Sequence, residues 1–158
     1  MNYGKKVLLL IGIIGFAIVN AGCSFSIGFS IKNLSGKPIV VSYSTTGMQG
    51  YVPRLINSIE GEKGEKYSAI PENRIAIDRE NDTVKLNLLP NEEVELFWVT
   101  DRMENDYESD FRLKNLHIVS DDGSISLEGR KVFQSFRPIK NSWYAFGPET
   151  IGFVFEYR

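Results

Sequence analysis

Residues 116–128 read Leu-His-Ile-Val-Ser-Asp-Asp-Gly-Ser-Ile-Ser-Leu-Glu, and this stretch decides the fold class. Two short runs, Leu116 to Ser120 and Ser124 to Glu128, flank Asp121-Asp122-Gly123. Asp-Gly between strand-like runs marks a tight hairpin, because glycine takes positive φ at little cost.

The same grammar extends in both directions. Phe25 to Ile31 alternates apolar with small residues, a period of two. Leu34-Ser-Gly-Lys-Pro38 predicts a turn and Ile39 to Ser44 the next strand. Further strands are expected over Arg74 to Ile77, Val84 to Leu88 and Val94 to Thr100, with turns at Glu80 to Thr83 and at Pro90-Asn91. Trp143 to Phe146 and Thr150 to Tyr157 flank Gly147-Pro148, a second expected hairpin. In the last strand Ile151, Phe153, Phe155 and Tyr157 form one apolar face. Short strands with turn chemistry between them predict an all-β fold, an antiparallel β-sandwich or small barrel. At most one short helix is expected. Val132, Phe133 and Phe136 lie at helical spacing between Gly129 and Pro138; the other reading of that segment is a bulged strand. Gly47 to Asn73 is irregular, with four glycines and two prolines. It is either a functional loop or the home of an unrecognised strand, near Arg54 to Ile59.

The N-terminus determines the compartment. Lys5 and Lys6 precede an unbroken apolar run from Val7 to Val19, followed by Ala21, Gly22 and Cys23. Thirteen apolar residues suit the core of a secretory signal and fall short of the roughly 20 needed to span a bilayer. The junction resembles the lipobox of bacterial lipoproteins: Ala21, Gly22 and Cys23 match its last three positions, and Asn20 stands where an aliphatic residue is usual. The resemblance covers residues 1–23. It implies a signal peptide over 1–22, diacylglycerol on the Cys23 thiol, and one domain over 23–158. The competing reading is an uncleaved anchor, since no charge occurs from Val7 to Ile31. Either reading puts the domain outside the cytoplasm, held at the cell membrane or an outer membrane.

Residues 23–158 carry 16 basic and 20 acidic side chains, a net charge of −4. No basic stripe is present, so nucleic acid is not an expected partner. Cys23 is the only cysteine, so no disulfide forms within the chain and the fold rests on its hydrophobic core.

The chemistry-bearing residues are few. His117 is the only histidine and lies in an expected strand. One imidazole with no second histidine or cysteine cluster makes no zinc site, and no G-x-S-x-G motif accompanies it. Asp101, Glu104, Asp106, Glu108 and Asp110 form an acidic loop that could face a partner. It fails as an EF-hand: counted from Asp106, Phe111 stands at the glycine position and His117 at the bidentate glutamate. Asn33-Leu-Ser35 and Asn81-Asp-Thr83 match a glycosylation pattern. No metal and no cofactor are expected. The function expected is non-enzymatic: a lipid-anchored envelope protein binding an unknown envelope protein, as an accessory or assembly subunit. The alternative is an immunity or inhibitor protein directed at a toxin or hydrolase.

Overall fold

The computed structural model describes residues 25–47, 51–58, 65–101, 107–141 and 150–158. Residues 1–24, with Cys23 and the expected signal, lie outside them, as does the expected hairpin at Trp143 to Phe146 and Gly147-Pro148.

Eleven strands are described: β1 (Phe25–Asn33), β2 (Ile39–Thr45), β3 (Arg54–Ser58), β4 (Glu65–Ala69), β5 (Ile75–Asp78), β6 (Thr83–Leu88), β7 (Glu93–Asp101), β8 (Leu113–Ser120), β9 (Gly123–Glu128), β10 (Arg137–Asn141) and β11 (Thr150–Tyr157). They form two sheets, of order β10-β11-β1-β7-β3-β4 and β5-β6-β2-β8-β9. The architecture is an all-β sandwich. The hairpin at Asp121-Asp122-Gly123 is present, with β8 and β9 paired antiparallel from Ser120↔Gly123 to Asn115↔Glu128 and Gly123 at φ 148°.

The irregular stretch follows the second of its two readings: it holds β3 near the expected Arg54 to Ile59, and a further strand, β4; β3 pairs with both β4 and β7. Three features differ from the expectation. Among the described residues two short helices occur rather than one: α1 (Tyr107–Asp110) and α2 (Arg130–Ser135), the latter on the expected Val132–Phe136 segment, and a 3-10 turn covers Glu72–Arg74. Pro138, expected to close that helix, sits inside β10; an edge strand tolerates a residue without an N–H. The sheets are also not purely antiparallel. β1 and β11 run parallel, from Gly28↔Gly152 to Asn33↔Tyr157. A parallel pair needs a long crossover, and here almost the whole domain serves as the connection.

Burial follows the alternation. Ile27, Phe29 and Ile31 of β1, Val94 and Phe97 of β7, and Phe153, Phe155 and Tyr157 of β11 join the core with Ile39, Val41 and Tyr43 of β2, Leu86 and Leu88 of β6, and Leu116 and Ile118 of β8. In β7 four consecutive residues, Val94 to Phe97, are buried. A bulge explains this: Phe29 faces Phe97 and Ser30 faces Glu95, so Leu96 is an extra residue that also reaches the core. Phe97, Phe29 and Phe153 occupy one row across β7, β1 and β11. Their rings stack, with centroids 4.7 Å apart between Phe29 and Phe97 and 5.1 Å between Phe29 and Phe153. Phe111 and Phe136 meet Phe29 edge-on, the geometry the aromatic quadrupole favours.

Asn33 knits the turn after β1. It is fully buried, donates from Nδ2 to the Lys37 and Leu88 carbonyls, and accepts at Oδ1 from the Ser35 N–H and Oγ. Its amide is committed to the fold, which excludes glycosylation of the folded domain at Asn33.

Candidate binding face

The outer face of the six-stranded sheet is set by the residues between the buried ones. Gly28 lies between buried Ile27 and Phe29, so it faces outward, and its register partners are Gly152 and Trp98. Gly152 in turn pairs with Ile139. One row therefore reads Ile139, Gly152, Gly28, Trp98 across four adjacent strands. At about 4.8 Å per strand the two apolar side chains stand roughly 14 Å apart. Trp98 is 44% exposed and Ile139 42%. A Cβ added at Gly28 would come no nearer than 3.5 Å to Glu95 Oε2, and one at Gly152 would lie 3.8 Å from the Gly28 carbonyl. Packing therefore does not demand glycine at either position. What the pair provides is a bare strip of backbone between two apolar walls.

The next rows along the same face are charged and internally paired. Glu95, 4% exposed, accepts at Oε1 from Tyr51 Oη and from Arg54 Nη2, each at 2.6 Å. The Arg54 guanidinium also lies 4.2 Å from the Tyr67 ring centroid, a cation–π contact. Burial, and next the hydrogen bond to Glu95, push the Tyr51 phenol above its usual range. Ser30 Oγ donates to Glu93 Oε1 at 2.6 Å, and Lys32 Nζ lies 3.5 Å from Glu93 Oε2. Glu156 accepts from Arg137 and Arg158. Its carboxyl is held below the usual carboxylate range, first by Arg158. The face thus has an uncharged strip beside rows whose charges neutralise one another.

Of the acidic residues singled out from sequence, only the Glu108 side chain is among those described. Asp101 ends β7 and Asp110 ends α1, with neither side chain among those described; Glu104 and Asp106 lie outside the described residues. Glu108, in α1, is engaged by Arg130, whose Nε lies 2.8 Å from Oε1. His117 is an exposed residue of β8 opposite Ser42 and Ser126. Among the described residues no three of His, Cys, Asp and Glu are grouped as a metal site would need. Sequence reasoning passed over Trp98 and Ile139. The available signal was the glycines, since an outward glycine inside a strand marks a place where something approaches the backbone closely.

No protein-family model, curated protein or solved structure matches this chain.

Proposed function

We propose that this chain is a bacterial envelope lipoprotein, anchored through Cys23, whose sandwich works as a non-enzymatic protein-binding module. The outer face of the six-stranded sheet is its docking surface, and its partner is an envelope protein presenting a flat apolar patch. The observation that carries this reading is the Trp98–Gly28–Gly152–Ile139 row. A large aromatic left half exposed beside bare backbone gives up contact area in the free protein. Covering the remaining Trp98 surface is worth about 2–3 kcal/mol at most, and Trp is the side chain most enriched among residues that dominate binding energy. The paired charges alongside would form a polar rim that contributes register more than affinity.

The test has two arms. Mass spectrometry of the protein from its native membranes is expected to find an acylated N-terminal Cys23, and Cys23→Ala to leave an unprocessed precursor. A photo-crosslinking residue at position 98 is expected to give one discrete adduct in cells, with none from position 85 on the other sheet. An intact Met1 on most of the mature pool would remove the lipid anchor and leave the uncleaved one. Equal crosslinking from positions 98 and 85 would remove the docking face.

A further inference from the structure

Among the described residues the two sheets end on four edge strands, β10 and β4 in one, β5 and β9 in the other. Soluble proteins make such edges poor templates with proline, charge or shortness. Three of these edges follow that rule. β10 contains Arg137 and Pro138, β4 opens on Glu65 and Lys66, and β5 is four residues long and ends on Asp78. β9 does not. It reads Gly-Ser-Ile-Ser-Leu-Glu, six residues without proline or lysine, and its one charge is at the last position. Its register against β8 is unbroken, and every residue except half-buried Leu127 is exposed.

The direction of its free backbone groups is fixed. The Gly129 N–H donates to the Lys114 carbonyl. In an antiparallel pair alternate residues bond the neighbouring strand, and those between turn their N–H and C=O away. Counting back from Gly129, Leu127, Ile125 and Gly123 bond β8, while Ser124, Ser126 and Glu128 present their groups outward. The side chains alternate too. Ile125 and Leu127 lie across from buried Ile118 and Leu116, so they point to the core side, yet Ile125 is 37% exposed. The apolar row of the sheet runs out at this edge.

We propose that β9 pairs antiparallel with β9 of a second copy of this chain, about a two-fold axis through Ser126, and so joins two five-stranded sheets into one. In this register Ser126 meets its own counterpart, Ser124 meets Glu128, and Ile125 meets Leu127, each across the joint. The three outward residues form three pairs that each exchange two hydrogen bonds, so every outward group of the strand is used. Ile125 and Leu127 of the two copies close the apolar row, and Glu128 faces a serine rather than another glutamate. Charge selects both the direction and the occupant. Asp121 and Asp122 stand just before β9 and Arg130 and Lys131 just after it, all exposed. An antiparallel copy brings acids to bases at both ends of the joint, whereas a parallel copy would set like beside like. A strand of another protein would gain the backbone bonds without this match of ends. β9 belongs to the sheet opposite the Trp98 strip, so the pairing does not depend on the docking function.

The test uses the full chain in a mild non-ionic detergent. At the axis the two Ser126 Cα atoms would lie about 5.5 Å apart, within the range of about 4.4–6.8 Å that a disulfide spans. Under copper-phenanthroline oxidation Ser126→Cys should give a covalent dimer well above the background that Cys23 sets in the parent. Ser124→Cys alone should not, since its counterpart lies four residues away, about 14 Å along the strand; mixed with Glu128→Cys it should. Ser126→Pro removes an N–H that β8 does not engage, a change an edge strand tolerates. Its circular dichroism should be unchanged, and its dimer, followed by sedimentation equilibrium, about tenfold to hundredfold weaker, the worth of the two axial hydrogen bonds. If that variant loses its fold, Ser126→Lys, which sets like charges face to face on the axis, replaces it and should weaken the dimer as well. A parent that sediments as a monomer throughout, or equal crosslinking from Ser124→Cys and Ser126→Cys, would overturn the proposal.

Discussion

Truncating Phe153 to alanine should be among the most damaging single changes in this domain. Phe153 is 6% exposed and stacks on Phe29 at 5.1 Å with 12° between the rings. It also touches Tyr107 and Phe133, at 5.5 and 5.7 Å. Removing the ring loses its transfer energy and opens a cavity that flanking strands cannot close, since β11 is held between β10 and β1. Phe→Ala in cores costs about 3–5 kcal/mol, and the lost ring stacking argues for the upper half, about 4 kcal/mol. Against a total of about 5–15 kcal/mol, that is a large share. With a urea slope of about 2 kcal/mol/M, the midpoint should fall by about 2 M. The control is Glu156→Ala, whose partners Arg137 and Arg158 are both largely exposed; its midpoint should scarcely move. Urea denaturation followed by tryptophan fluorescence, on the chain from Ser24 onward, reads both. Equal and small shifts would refute the reasoning and mean that β11 is a loose strand rather than part of the core.

Glu92 predicts a pH dependence. Partial burial pushes its carboxyl up, but the forked Arg74 guanidinium and the Leu89 N–H outweigh burial and hold it below 4.5. A depressed folded pKa gives stability that is full above the unfolded value and lost as pH falls through the folded one. Stability should therefore decline from about pH 4.5 downward, less steeply in Glu92→Gln, as measured by urea midpoints across pH 2.5–6. For the acidic segment Asp101 to Asp110, the melting temperature should be the same in calcium as in EDTA. A reproducible rise of several degrees with calcium would assign it a site, because a ligand of the native state stabilises by mass action.

Strand positions were legible because alternation is local. Phe25 to Ile31, Ile39 to Ser44, Val84 to Leu88 and Thr150 to Tyr157 all lie within observed strands. Partnership was not legible. Nothing near Gly28 says that its neighbours are Gly152, far along the chain, and Trp98, and the parallel β1–β11 pair leaves no turn signature. β10 was hidden by Pro138, whose edge position could not be known in advance. The buried run Val94 to Phe97 violates period two only because a bulge places Leu96 in the core. Val154 is buried although it lies on the face opposite Phe153 and Phe155. The candidate face was invisible for the same reason. Glycine and an isolated tryptophan are ordinary residues until a register puts them in one row.

The proposed anchor and the proposed docking strip constrain each other. Only Ser24 separates Cys23 from β1, and β1 is held on both sides by β11 and β7. A lipid on Cys23 would fix the end of the sandwich where β1 starts, with about one residue of slack. At about 3.3 Å per residue, Gly28 lies roughly 10 Å along the strand from Phe25. The polar layer of a leaflet extends about 5–8 Å beyond the hydrocarbon. The Trp98–Ile139 row would then stand just above the headgroups, while the ion-paired rows around Lys32 and Glu93 stand farther out. Two half-exposed apolar side chains supply about 4 kcal/mol before any cost of association, which corresponds to no better than about millimolar affinity. Such binding is negligible for a partner free in solution. It becomes effective when both proteins are confined to one membrane surface, where the local concentration itself approaches millimolar. The short tether and the modest strip therefore favour the same kind of partner, one held at the same bilayer.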